Sequence, residues 1–234
     1  MKKYFLIFCL CFLLLLGEVK AGAINQGFST EPFPQEDMDT LLANIHLVLL
    51  QNEPNSKSIE CFDVNQDGQI AIGFSKFEEK TICIYTSEGD FQYGYQFQNS
   101  GSFGVEWIGN KLNIYIVRGS IAISVNSDGE IESVLKILNT SENNDYWNNS
   151  VFSTKRNLGD SEYVLQNDMG IFNLFASTYT TLVVNANGES KVIYDVSSSH
   201  LAETIVVSIM IVSFVGFTAF IALHHYKKQK SHIE

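Results

Sequence analysis

The feature that most restricts what this chain can fold into is a recurrent turn. Asn65-Gln66-Asp67-Gly68, Ser87-Glu88-Gly89, Asn126-Ser127-Asp128-Gly129 and Asn185-Ala186-Asn187-Gly188 each place glycine behind an acidic residue or asparagine. Glycine in that place accepts the positive φ of a tight hairpin. Between the turns lie short apolar or alternating runs, which is a strand-and-turn signature. The expected strands are Ile59–Val64, Gln69–Phe74, Lys80–Tyr85, Phe91–Phe97, Phe103–Trp107, Lys111–Val117, Ser120–Val125 and Ile131–Leu138, then Glu162–Gln166, Gly170–Ala176, Thr181–Val184 and Lys191–Val196. Their connections are short enough that neighbours must run antiparallel.

The turns also keep a period. Gly89 and Gly129 are 40 residues apart, and Gly68 and Gly109 are 41 apart. Gly129 to Gly188 spans 59 and Gly109 to Gly170 spans 61, so an insertion of about 20 residues, at Asn139–Gly159, separates the second and third units. The chain therefore reads as an all-β protein of three antiparallel four-stranded units, at about 58–98, 102–138 and 160–196, with the repeat length of propeller blades. In the strand Phe91–Phe97, the side chains of Phe91, Tyr93, Tyr95 and Phe97 share one face. That stripe reads as core between sheets rather than as a platform for sugars. A closed propeller needs at least four blades. Three ways to meet that need remain open besides an unclosed fan of three sheets. Residues 24–57 offer a partial unit, with Ile45–Leu50 as a strand or Leu41–Leu49 as a helix capped by Asp39-Thr40, and two chains could pair as a homodimer.

The two ends carry membrane signals. Residues 1–23 read as a secretory signal peptide: Lys2-Lys3, an apolar run from Tyr4 to Leu16 that includes Cys9 and Cys11, then small residues at Ala21 and Ala23. Thr204–Leu223 holds no charge over 20 residues, enough helix to span about 30 Å of hydrocarbon. The tail 224–234 follows with Lys227, Lys228 and Lys230, which assigns that end to the cytoplasmic side and residues 58–200 to the outside. Between Gly22 and Glu203 there are 24 acidic side chains against 9 basic ones. Such an external part repels nucleic acid. Only Cys61 and Cys83 lie in it, on expected strands separated by a third, which favours two buried thiols over a disulfide.

Chemical motifs are sparse. Asp63-Val64-Asn65-Gln66-Asp67-Gly68 fits the first half of a calcium loop, but the twelfth position, which should be a bidentate glutamate, is Phe74. A plain hairpin is the better reading. Ser133-Val134-Leu135-Lys136 fits S-x-x-K but falls on a strand, where serine and lysine do not meet as they do on a helical turn. Glu106 beside Trp107, and Asp145 near Trp147, have the carboxylate-and-aromatic character of sugar-cleaving sites, which arises freely in so acidic a chain. Asn139-Thr140-Ser141 and Asn148-Asn149-Ser150 are formal glycosylation sequons. No catalytic, metal-binding or cofactor-binding residue is assigned, and no cofactor is expected.

The run from Lys80 through Tyr95, Gly101 to Trp107, Tyr146-Trp147-Asn148-Asn149, Ser153-Thr154-Lys155-Arg156 and Asn167-Asp168-Met169-Gly170 resembles uncharacterised single-pass surface proteins of Gram-positive bacteria. That resemblance covers most of residues 58–223 and implies a plasma-membrane location without an activity to carry over. The repeats more loosely resemble blades of NHL and YWTD propellers, which mostly bind rather than catalyse. The expectation is a membrane-anchored, outward-facing module for binding or scaffolding, held by lipid contact through its C-terminal helix, with a protein or glycan partner. Trp147, Phe152, Lys155 and Arg156, in the insertion, are the candidate contact residues, because long loops on a repeat scaffold often carry recognition. The alternatives are an envelope glycan hydrolase using paired carboxylates, and an accessory subunit of a membrane complex.

Overall fold

The computed structural model describes residues 27–167, 173 and 178–230. The expected signal peptide at 1–23 and most of the expected strand Gly170–Ala176 lie outside these residues. The chain is built of antiparallel sheets with few helices. Sheet 1 runs β2-β6-β5-β4-β3, from Val48–Leu50, Phe91–Gln98, Glu79–Tyr85, Ile70–Lys76 and Ile59–Val64. Sheet 2 runs β1-β10-β9-β8-β7, from Thr30–Pro32, Ile131–Ile137, Ile121–Val125, Lys111–Ile116 and Phe103–Ile108. Sheet 3 runs β11-β12-β13-β14, from Lys155–Leu158, Ser161–Gln166, Thr181–Ala186 and Glu189–Asp195.

The hairpins follow from their turn chemistry. Asn65 Oδ1 accepts the N–H groups of Asp67 and Gln69, at 3.0 and 2.8 Å, while Gly68, at φ 79°, donates to Asn65 O. Asn126 repeats this with Asp128 and Glu130, and the Thr86 hydroxyl does the same with Glu88 and Asp90. Each polar side chain thus takes up N–H groups that the tight turn leaves unpaired. The calcium-like segment is one of these capped hairpins, with the Asn65 side-chain oxygen turned onto its own backbone.

Sheet 1 lies between the other two. One face carries Cys61, Ala71, Ile82, Ile84, Tyr95 and Phe97 against Phe103, Val105, Leu112, Ile114 and Ile123 of sheet 2. The other carries Ile59, Phe62, Ile70, Ile72, Phe74 and Cys83 against Tyr163, Leu165, Leu182 and Tyr194 of sheet 3. Tyr95 and Phe97 of the aromatic stripe are buried in the first of these cores. Gly73 permits the tight spacing, since a β-carbon there would sit 2.5 Å from Cys61 Sγ and 2.8 Å from the Phe103 ring. Cys61 and Cys83 belong to opposite cores and are free thiols, and burial pushes both thiol pKa values up, that of Cys83 to about 12. The far face of sheet 2 is covered by Phe28, Tyr146 and Trp147, which pack on Tyr115 and Ala122.

The N-terminal extension holds both a helix and a strand, β2 falling within the expected Ile45–Leu50. Helix α1 is Gln35–Ile45, starting six residues before the expected Leu41, and Pro34 rather than Asp39 precedes it. It is flanked by β1 and β2, which do not form a further blade. They pair with β10 and β6, so the outer edge of each of the first two sheets gains a covering strand. Among the described residues there are three sheets, and none closes a ring.

The expected insertion at Asn139–Gly159 is ordered structure. Thr140 caps helix α2, Ser141–Tyr146, which continues as a π-helical turn over Trp147–Val151. Buried Asn143 ties this segment to Ser29 by donating to its carbonyl and accepting from its N–H, both at 2.9 Å. The segment then enters β11, so the third sheet begins at Lys155 and not at 160. After β14 only Val196 intervenes before helix α3, Ser197–Lys230. Among the described residues α3 is the one helix long and apolar enough to cross a membrane, and none of its apolar stretch is buried.

Candidate functional site

The first strand of each unit, β3, β7 and β11, is an edge strand, and the three edges meet at the hub of the fan. An edge presents backbone N–H groups with no strand to receive them. Here carboxylates from β3 receive those of β7. Glu60 accepts the Phe103 N–H at 3.2 Å and Asp63 Oδ2 accepts the Trp107 N–H at 2.6 Å. Asp63 Oδ1 faces Arg156 of β11, whose Nε stands 2.5 Å away, so one carboxylate pins three sheets.

Arg156 has no donor to spare. Its Nε serves Asp63, Nη1 donates to the carbonyls of Ser153 and Lys155, and Nη2 donates to those of Phe62 and Val151. That matches the five N–H bonds a guanidinium owns. Its plane also lies 5.3 Å from the centre of the Phe62 ring. Glu106, one strand over, accepts the hydroxyl protons of Tyr115, at 2.6 Å, and of Tyr146.

Burial raises the pKa of Asp63 above the ordinary carboxylate value, while the Arg156 charge and the Trp107 N–H pull it back. Glu106 is likewise raised by burial, with the two tyrosine hydroxyls opposing that shift and the Asp63 charge adding to it. The tyrosines pay the complementary penalty: Tyr115 and Tyr146 are pushed up by burial and by the Glu106 charge. The hub is a satisfied polar cluster in which each charge is held by a partner.

Beside it opens a cleft of about 420 Å³, walled by Asp63, Glu106, Trp107, Tyr146, Lys155 and Arg156. The rest of its lining combines amides and hydroxyls, from Gln66, Asn149, Ser150, Ser153 and Asn157, with the apolar side chains of Val64 and Ile108. The Trp107 indole N–H is buried without an acceptor among the described residues. No group of three or more potential metal ligands occurs among the described residues.

The four candidate contact residues separate. Arg156 turns inward to the hub, and its side chain is 16% exposed. Lys155 lines the cleft while bridging Glu162 at 2.9 Å. Trp147 packs on Phe28 and stacks at 5.6 Å with Phe152, which is left partly exposed on the outer side of sheet 2. Gly104 of β7 makes room for this seat, since a β-carbon there would collide with Val151. Asp145, the other carboxylate noted beside an aromatic, is exposed on α2 and does not line the cleft. Asp63 and Glu106 were visible only as a turn residue and as a neighbour of tryptophan. Nothing local marks them as partners, because the bond that joins Asp63 to Arg156 spans 93 residues.

No protein-family model, no curated protein and no solved structure matches this chain.

Proposed function

We propose that this chain is a cell-surface binding module, anchored in the plasma membrane by α3, whose ligand seat is the hub cleft. The observation that carries this reading is the distribution of polar groups around that cleft. Its charges already have partners in the protein, and the rest of the lining is amides and hydroxyls beside an indole and two aliphatic side chains, Val64 and Ile108. A neutral, hydroxyl-rich ligand suits such a lining, and an envelope glycan is the class that fits. The volume falls in the range of sites for small ligands or single residues of a polymer. Anchoring is supported by an apolar helix with Val206, Val212, Phe214 and Phe217 all exposed, which lipid rather than water would solvate. The lysines behind Leu223 favour a cytoplasmic tail and an external domain.

The test uses the full chain in detergent micelles, titrated with cell-wall oligosaccharides while tryptophan emission is followed. Saturable binding should weaken at least several-fold in Asn157→Ala and Asn149→Ala. Equal affinity in the wild type and both variants would remove the cleft from the reading.

A hydrolase reading has one observation in its favour. A glutamic acid with a raised pKa stands in the same cleft as a second carboxylate and a tryptophan, the pattern of a general acid with a partner. Against it, both oxygens of each carboxylate already accept hydrogen bonds from the protein. Release of reducing sugar from cell-wall polysaccharide, lost in Glu106→Gln, would move the balance to this second reading.

A further inference from the structure

We propose that the end of the β domain next to α3 docks on the membrane surface, with Phe77 entering the lipid interface of the bilayer that α3 crosses. The proposal rests on the anchoring reading above and adds a second point of attachment to it.

Phe77 and Glu78 form the two-residue loop between β4 and β5, where Lys76 pairs with Glu79. The first loop position of such a hairpin commonly belongs to glycine, because its φ is positive. Phe77 occupies it at φ 56° with 91% of its surface exposed. A bulky residue in that region is strained. Neither the fold nor its solubility gains from a bare aromatic ring there, so the gain must come from something outside the domain.

The position of the loop identifies what that is. Lys57, Ser75 and Lys76 line one cleft together with Val196 and Ser199, so the hairpin tip stands at the root of α3. The neighbouring loops share that end. Asn99 N–H donates to Glu78 O at 2.8 Å, and Arg118 reaches Ser100 at 3.2 Å. Beside Arg118, Val117 is 36% exposed. Seven residues separate Ser197 from Thr204, where the uncharged stretch begins, a helical rise of about 10 Å. The headgroup layer is roughly 5 to 8 Å thick on each side, which brings loops at the root of α3 to lipid.

Charge is segregated in the same sense. The hairpin loops at the opposite end carry Asp67, Glu88, Asp90, Asp128, Glu130 and Asp160, with no lysine or arginine. The loops joining strands at the α3 end carry Arg118 against Glu78 and Asp168 in the sequence, and Lys76 pairs with Glu79 at the ends of β4 and β5, so this end is far less acidic. An anionic lipid surface repels the first set far more than the second. An exposed aromatic ring beside a basic residue, as Phe77 is beside Lys76, suits an interfacial contact.

The test places a polarity-sensitive fluorophore on Phe77→Cys, and separately on Asn187→Cys in a turn at the acidic end. Both are made in a Cys9→Ser, Cys11→Ser background, and Cys61 and Cys83 are buried and stay unlabelled in the folded protein. Full-length chains are reconstituted into phosphatidylcholine vesicles containing phosphatidylglycerol, with or without lipid spin-labelled near the headgroup. The expected result is that both proteins float with the vesicles, and that the label at 77 shifts to the blue and is quenched several-fold more strongly than the label at 187. Flotation with equal, weak quenching at both positions overturns the docking face and leaves the anchor standing. A chain that does not float overturns the anchor and the docking face together.

Discussion

Removing the positive member of the hub pair gives the sharpest test of how the sheets are joined. In Arg156→Met the apolar stem is roughly conserved, so packing on Phe62 is largely kept while the charge is lost. Asp63, 6% exposed, would then keep backbone N–H contacts, chiefly that of Trp107 at 2.6 Å, and no counter-charge. Stranding a buried charge in this way costs about 3–5 kcal/mol. For a domain of this size 1 kcal/mol moves Tm by roughly 2–4 °C, so the expected fall is about 6–20 °C. The loss should also depend on pH. Burial already raises the Asp63 pKa in the folded state, and taking away Arg156 removes the largest opposing influence. The stability linked to a group raised on folding is fully present below its unfolded value and is lost as pH rises through the folded one. The variant should therefore be closest to wild type in mild acid, where Asp63 is protonated, and furthest from it at neutral pH. Thermal unfolding in micelles, followed by far-ultraviolet circular dichroism at both ends of that range, measures this. A variant within about 1 kcal/mol of wild type at neutral pH would refute the hub as a joint between sheets.

Glu106→Gln should flatten the pH dependence in the same assay. The wild type loses the Glu106 contribution as pH rises above the ordinary glutamate value, and the amide does not titrate. Gly73→Ala should destabilise by about 1–3 kcal/mol, because the added methyl meets Cys61 Sγ and the Phe103 ring at less than contact distance. Phe77→Gly should raise stability in micelles by roughly 1 kcal/mol by relieving the positive φ, read as a small rise in Tm. In a Cys9→Ser, Cys11→Ser chain, Cys61 and Cys83 should resist alkylation while folded and both react after unfolding without reductant, a mass increase of two adducts.

Much of the β architecture is legible because its turns are chemically local. A side chain such as Asn65 or Asn126 and the glycine three residues on suffice to specify a hairpin without help from the rest of the chain. Strand β11 escaped because Lys155-Arg156-Asn157-Leu158 is short, polar and without alternation. It is a strand only because β12 pairs with it and because Arg156 reaches Asp63 from another sheet. The same cause hid the site. Arg156 reads locally as a surface cation, and its burial follows from a tertiary neighbour that no nearby residue announces. The extension misled for a related reason: β1 and β2 are three-residue strands whose identity lies in the exposed edges of β10 and β6.

The single residue joining β14 to α3 has a mechanical consequence. A tether with slack would let the β structure wander, whereas Val196 passes the strand almost directly into the helix, and Asp195 Oδ1 holds the Ser197 N–H at 2.8 Å. Each helical residue turns the chain by about 100°. One residue added between Ser197 and Thr204 would swing the whole β structure by that angle about the helix axis. The heading of the hub cleft relative to the faces of α3 is then set by residue count, like the phase of a gear on its shaft.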